Sequence, residues 1–113
     1  MALLIRRENI EYQPHPKFKG VTVAMLAGKA TGLGVGVSIL ELSQGVEIPV
    51  HTHDESLDSI YCLAGEGQIY HQGNWKPFGQ GDYCLVPPGE EHGVKSGDKG
   101  RMRLFIVHRP PLF

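Results

Sequence analysis

The sequence predicts an all-β fold, an antiparallel sandwich or barrel of the jelly-roll type, and three observations predict it. Fifteen glycines and eight prolines interrupt the 113 residues, and few windows hold an apolar 3.6-residue period over three turns. Short runs rich in small and β-branched residues recur instead. Turn residues separate these runs at near-regular intervals, as in many-stranded antiparallel folds.

Taken in order, Pro14-His15-Pro16 reads as an extended loop, because each proline fixes its own φ and biases its predecessor toward extended backbone. Strands are expected at 20–26 and 33–42, then at 46–51, 59–63 and 68–72, where Gly73-Asn74 marks a hairpin turn. Strands at 75–78, 83–86, 91–95 and 102–108 complete the series. In the last of these, placing Arg101 and Arg103 outside puts Met102, Leu104, Ile106 and His108 on the inner face. The tail, Arg109-Pro110-Pro111-Leu112-Phe113, cannot continue a central ladder. Its apolar Leu112 and Phe113 are expected to pack on another surface, a second subunit being one candidate.

At this length the chain is expected to form one domain, residues 1–113, without internal repeat or linker. A formal net charge of −1 gives no reason to expect nucleic acid or an anionic membrane as partner. No apolar run approaches the roughly 20 residues a membrane helix needs. The first residues, Met1 to Glu8, carry their charges after a short apolar patch, the reverse of a secretory signal, so a cytoplasmic protein is expected. Cys62 and Cys84 lie in apolar strand patterns and suit buried reduced thiols.

Two turn-strand units carry histidine. The first runs from Gly45 through His51 and His53 to Asp58 and Gly65; the second runs from Gly81 through Pro87, Gly89 and His92 to Ser96. Residues two apart on a strand point to one side, so His51 and His53 can offer both imidazoles to one point. A carboxylate from Asp58 and a third imidazole from His92 would complete a mixed nitrogen and oxygen site, the ligand set of a transition-metal centre.

The two units also resemble the paired motifs of the cupin superfamily. Residues 45–65 are similar to the first motif, a glycine, five residues, His-x-His, an acid and a glycine. Residues 81–96 are similar to the second, a glycine, five residues, Pro-x-Gly, two residues and a histidine. Asp58 stands where the family usually has glutamate, and Ser96 where it usually has asparagine. The resemblance implies a cupin jelly-roll β-barrel with one divalent metal (iron, manganese, nickel, zinc or copper) inside, and a homodimer.

Asp58 lies five positions after His53, so it shares the histidines' direction only if the chain turns or bulges between them. Glu55, or a water in a three-histidine site, are the alternatives to Asp58. Ser96 is expected to be structural and His71 to be exposed beside its turn. His108 and Tyr61 are the candidate proton carriers, while Tyr83 is expected mainly to pack. The expected function is that of a small-molecule enzyme of dioxygenase or isomerase type. The alternatives are a non-catalytic module binding a sugar or carboxylate through its metal, and a cupin without metal.

Overall fold

The computed structural model describes residues 2–113. Among these residues ten strands form two antiparallel sheets, with short 3-10 turns at Arg7–Asn9 and Lys29–Thr31. The strands are β1 (Gln13–Pro14), β2 (Val21–Ala27), β3 (Gly36–Leu42), β4 (Glu47–His51) and β5 (Leu57–Ala64). They continue as β6 (Glu66–His71), β7 (Asn74–Gly79), β8 (Tyr83–Val86), β9 (His92–Ser96) and β10 (Met102–Arg109). One sheet has the order β1-β2-β3-β10-β5-β8 and the other β4-β9-β6-β7. This is the expected jelly roll, except that the two sheets face each other without closing into one continuous barrel. Among the described residues no helix is long and apolar enough to cross a membrane.

Period-two alternation explains most of the inner surface. On β10 the buried residues are Met102, Leu104 and Ile106, with His108 next in the same row. On β5 they are Asp58, Ile60 and Cys62, and on β9 they include His92, Val94 and Ser96. Leu42, Ile48, Phe78 and Val86 from neighbouring strands complete the core between the sheets. Burying each such side chain contributes roughly 1.5–3 kcal/mol. Cys62 is fully buried and Cys84 half-buried, and both are free. Burial raises both thiol pKa values, which keeps the groups unreactive.

Several expected boundaries move, for local reasons. Residues 33–35 are not strand, because Gly32 and Gly34 adopt left-handed φ of 69° and 80° and turn the chain before β3 begins. The β6–β7 hairpin turns on Gln72 (φ 50°) and Gly73 (φ 86°), one residue earlier than expected, with His71 paired opposite Asn74. His71 is half-buried rather than exposed, its Nδ1 2.9 Å from the Lys76 ammonium. Part of the expected 14–16 loop is the short edge strand β1, paired with β2.

Strand β4 departs from regular pairing at one place. Ile48 pairs with Val94 and His51 with His92, so three steps on β4 match two on β9. This is a β-bulge at Pro49–Val50, and it brings His51 to the same inner face as Ile48, which strict alternation would not do. Pro49 suits the spot because a bulge leaves a residue without a ladder hydrogen bond.

Candidate metal centre

At one end of the sandwich, side chains from both sheets converge. His51 and His92 face each other across β4 and β9, and Asp58 pairs with His108 across β5 and β10. His53 comes from the loop between β4 and β5. Ligand atoms of His51, His53, Asp58 and His92 all lie within 4.8 Å of one another. The four can hold a metal ion.

Hydrogen bonds set two of the imidazoles in advance. The Nδ1 of His51 lies 2.7 Å from the Pro49 carbonyl, and that of His92 lies 3.0 Å from the Glu90 carbonyl. A carbonyl only accepts, so each Nδ1 carries the proton, and in the neutral ring each Nε2 keeps a free lone pair. This is the outer support that metal-binding histidines usually have.

The Nε2 of His92 sits 3.0 Å from Asp58 Oδ2, with His108 Nε2 at 3.3 Å and His53 Nε2 at 3.5 Å from the same oxygen. Both nitrogens of His92 therefore face acceptors, whereas a neutral imidazole has one N–H. Either a second proton or a metal cation must lie on the Nε2 side. The other carboxylate oxygen, Asp58 Oδ1, is buried without a hydrogen-bond partner among the described residues. A buried carboxylate oxygen left so is costly, and a cation at this point would relieve it. The donor set fits a divalent transition metal.

The titration of these groups follows from the same contacts. Burial would push the Asp58 carboxyl up, but hydrogen bonds from His108, His53 and His92 outweigh it and hold it far below the usual carboxylate range. Burial would lower His92, yet the Asp58 carboxylate and the Glu90 carbonyl outweigh it and raise its pKa. In His51 burial prevails over the Pro49 contact, and its pKa is lowered.

The sequence-derived candidates separate cleanly. His51, His53, Asp58 and His92 come together, and His108 touches Asp58. Residues 52–56 form the turn that brings Asp58 round, and Asp58 reaches His92 despite its short side chain. Glu55 is exposed and lies outside the cluster. Tyr61 does not join the site: it alternates with the inward Ile60 and Cys62, faces outward and is 41 % exposed. Tyr83 is likewise outward, 2.8 Å from the Ser59 hydroxyl. Ser96 is buried, its hydroxyl donating to the Gly100 carbonyl at 3.0 Å, which is a structural role.

The cluster opens into a cavity of about 450 Å³ lined by residues of both sheets. Sequence reasoning did not place His15, Phe18, Leu112 and Phe113 here, yet all four line it. The tail meets the chain itself rather than standing free: Ser56 Oγ donates to the Pro110 carbonyl at 2.6 Å, and Lys29 N to the Phe113 carbonyl at 2.6 Å. The one sequence signal was the apolar character of Leu112 and Phe113 after two prolines.

A family model described as the cupin domain matches residues 38–108, a span that contains all four histidines of the site and Asp58. L-ectoine synthase of Aliivibrio fischeri strain MJ11 is 27% identical over 85 residues, 74% of this chain and 66% of that protein. The chain thus spans 66% of the length of the curated relatives it matches first. The crystal structure of the polyketide cyclase RemF from Streptomyces resistomycificus superimposes with a TM-score of 0.83 at 27% identity, over 100% of this chain and 87% of that one. Ectoine synthase from P. lautus matches with a TM-score of 0.82 at 22% identity, over 98% and 80% of the two chains, a likeness of fold.

Proposed function

The chain belongs to the cupin family, and we propose that it is a metal-dependent enzyme acting on a small molecule held in the cavity. One divalent transition metal would be held by His51, His53, Asp58 and His92. The observation that carries this reading is the aim of His51 and His92, whose Nδ1 atoms are tied to backbone carbonyls so that each Nε2 faces the cluster. Iron, manganese, nickel, zinc and copper all accept such donors. When bound, the ion supplies Lewis acidity to a carbonyl or enol oxygen.

His108 lies outside the four-donor group, with its Nε2 3.3 Å from Asp58 Oδ2 and its ring 5.4 Å from that of His53. That position suits a group that takes or returns a proton at Nε2 beside the bound molecule. A polarised carbonyl and a nearby proton carrier are the parts that isomerase-type chemistry needs. The names of two proteins 27% identical to this chain, a polyketide cyclase and an L-ectoine synthase, support a rearranging rather than an oxidising reaction.

The test combines metal analysis with isotope exchange. Metal-loaded protein incubated with hydroxyketones in D₂O should place deuterium beside the carbonyl, without consuming O₂. His108→Ala should abolish the exchange while keeping about one metal per chain. Oxygen uptake would replace the isomerase reading by a dioxygenase one. Bound metal with neither activity would support a non-catalytic binding module, and loss of metal in His108→Ala would make His108 a ligand.

The homodimer implied by the family is also a proposal, and the outer face of the larger sheet supports it. Phe105, Tyr61 and Tyr83 form a cross-strand row there, next to Leu85, and Tyr83 and Leu85 are 56% and 55% exposed. Aromatic and aliphatic side chains grouped in this way suit a self-complementary contact. Light scattering should give twice the chain mass for the wild type and a single chain mass for Leu85→Lys.

A further inference from the structure

The cavity is chemically lopsided, and that bears on what it takes. Its polar end is the cluster of histidines and Asp58, while Phe18, Leu40, Ile60, Leu104, Ile106 and Leu112 supply its walls. Among the described residues lining it, the other polar side chains are His15, half-buried, and Lys17 and Thr52, both exposed. A sugar, with a hydroxyl on nearly every carbon, would bury several groups without partners here, each costing about 1–3 kcal/mol. A dicarboxylate would leave its second charge against hydrocarbon, which is worse.

The mouth is aromatic and held in place. His15 lies 4.7 Å from Phe18 between ring centroids and edge-on to Phe113 at 6.4 Å. Its Nδ1 accepts from the backbone N–H of Lys17 at 3.0 Å and of Phe18 at 3.3 Å, so the ring has a fixed orientation. Rings at such separations offer tilted and edge-on contacts to a further ring. The volume of about 450 Å³ corresponds to about 15 water molecules at roughly 30 Å³ each. A compound of two fused rings fits that space.

We propose that this site binds a largely apolar ring compound, which presents one hydroxy-carbonyl or hydroxy-carboxylate group to the histidine–Asp58 cluster and lays its rings against Phe18, Leu40 and Leu112. The assignment rests on the metal reading for the polar end alone. The apolar walls and the aromatic mouth are independent of it.

The probe is 1-hydroxy-2-naphthoate, compared by calorimetry with glycolate, which has the same chelating group without rings, and with xylose. Metal content is measured on the same metal-loaded samples. The naphthoate should bind at least ten times more tightly than glycolate, and xylose should not bind. Leu112→Glu should weaken the naphthoate at least tenfold with metal content unchanged. Phe113→Ala, an exposed tail position, should weaken it in the same direction and guards against misfolding of the first variant. Metal at one per chain with glycolate or xylose bound as tightly as the naphthoate would overturn the ring assignment and leave the metal reading standing. Naphthoate binding by protein that takes up no metal would uphold the ring assignment and overturn the metal reading.

Discussion

Two cross-strand pairs build the centre, and they are held differently. In the four-stranded sheet, His51 and His92 are each tied through Nδ1 to a carbonyl two residues earlier in the chain. In the six-stranded sheet, Asp58 and His108 are held by contacts within the cluster, and Asp58 Oδ1 has no partner among the described residues. The first pair is therefore aimed by its own backbone, and the second depends on what occupies the centre. A metal would find the imidazoles of the smaller sheet ready and would itself complete the setting of the carboxylate.

That asymmetry ranks the consequences of breaking the site. His92→Ala removes a pre-aimed donor and leaves Asp58 without its shortest contact, at 3.0 Å. Metal affinity should fall by more than the roughly 10–100-fold that follows loss of a supporting partner. Asp58→Ala removes the donor that still needs its setting, and its affinity loss should stay within about that 10–100-fold range. His71→Ala, with His71 bonded to Lys76 away from the cluster, should leave affinity unchanged. Competition with a fluorescent chelator measures all three. Equal losses for His92→Ala and Asp58→Ala would remove the distinction between the pairs.

A smaller effect should come from a residue with no donor at all. Gly93 lies opposite the β4 bulge, and a Cβ there would stand 2.9 Å from the Ile48 carbonyl oxygen and 3.1 Å from Val50 N. Both are backbone atoms, so the bulge itself must shift, and His51 is carried on it. Gly93→Ala should destabilise the fold by about 1–3 kcal/mol and weaken metal binding by about tenfold, toward the lower end of the supporting-partner range. Thermal melting and chelator competition read the two effects. Unchanged metal affinity would mean that the bulge does not aim His51.

The same two pairs show how far the sequence could be read. His108 was legible, because simple alternation from the arginines of β10 puts it in the row of Leu104 and Ile106. His51 was found through its spacing to His53 on an assumed regular strand, whereas a bulge and a loop in fact deliver the two side chains. Asp58 required a turn after His53, and residues 52–56 supply one. What stayed hidden depends on long-range packing. The outward direction of Tyr61 follows from register against β10 and β8, and the place of Leu112 and Phe113 from contacts with Ser56 and Lys29. Alternation along β5 sets Tyr61 opposite to Ile60 and Cys62, but register decides which row faces inward, and the apolar character of Leu112 and Phe113 does not say what they meet.

The finest test reads the coupling between the pairs as a titration in metal-free protein. With its pKa raised, His92 contributes stability that is fully present below its ordinary value of about 6.5 and is lost as pH rises through its folded-state pKa. Asp58, held low, contributes stability that is present above about 3.9 and is lost as pH falls. Their contact is therefore fully expressed between roughly pH 4 and 6.5. His51, with its pKa lowered by burial, works in the opposite sense near neutrality, so a melting curve would mix the two histidines. Residue-resolved NMR titration separates them. His92 should titrate above 6.5 and His51 below it. In Asp58→Asn the charge that raises His92 is gone while its burial remains, so its midpoint should drop. An unmoved midpoint would assign the shift to the Glu90 carbonyl instead, and the two sheets would then be electrostatically independent at this centre.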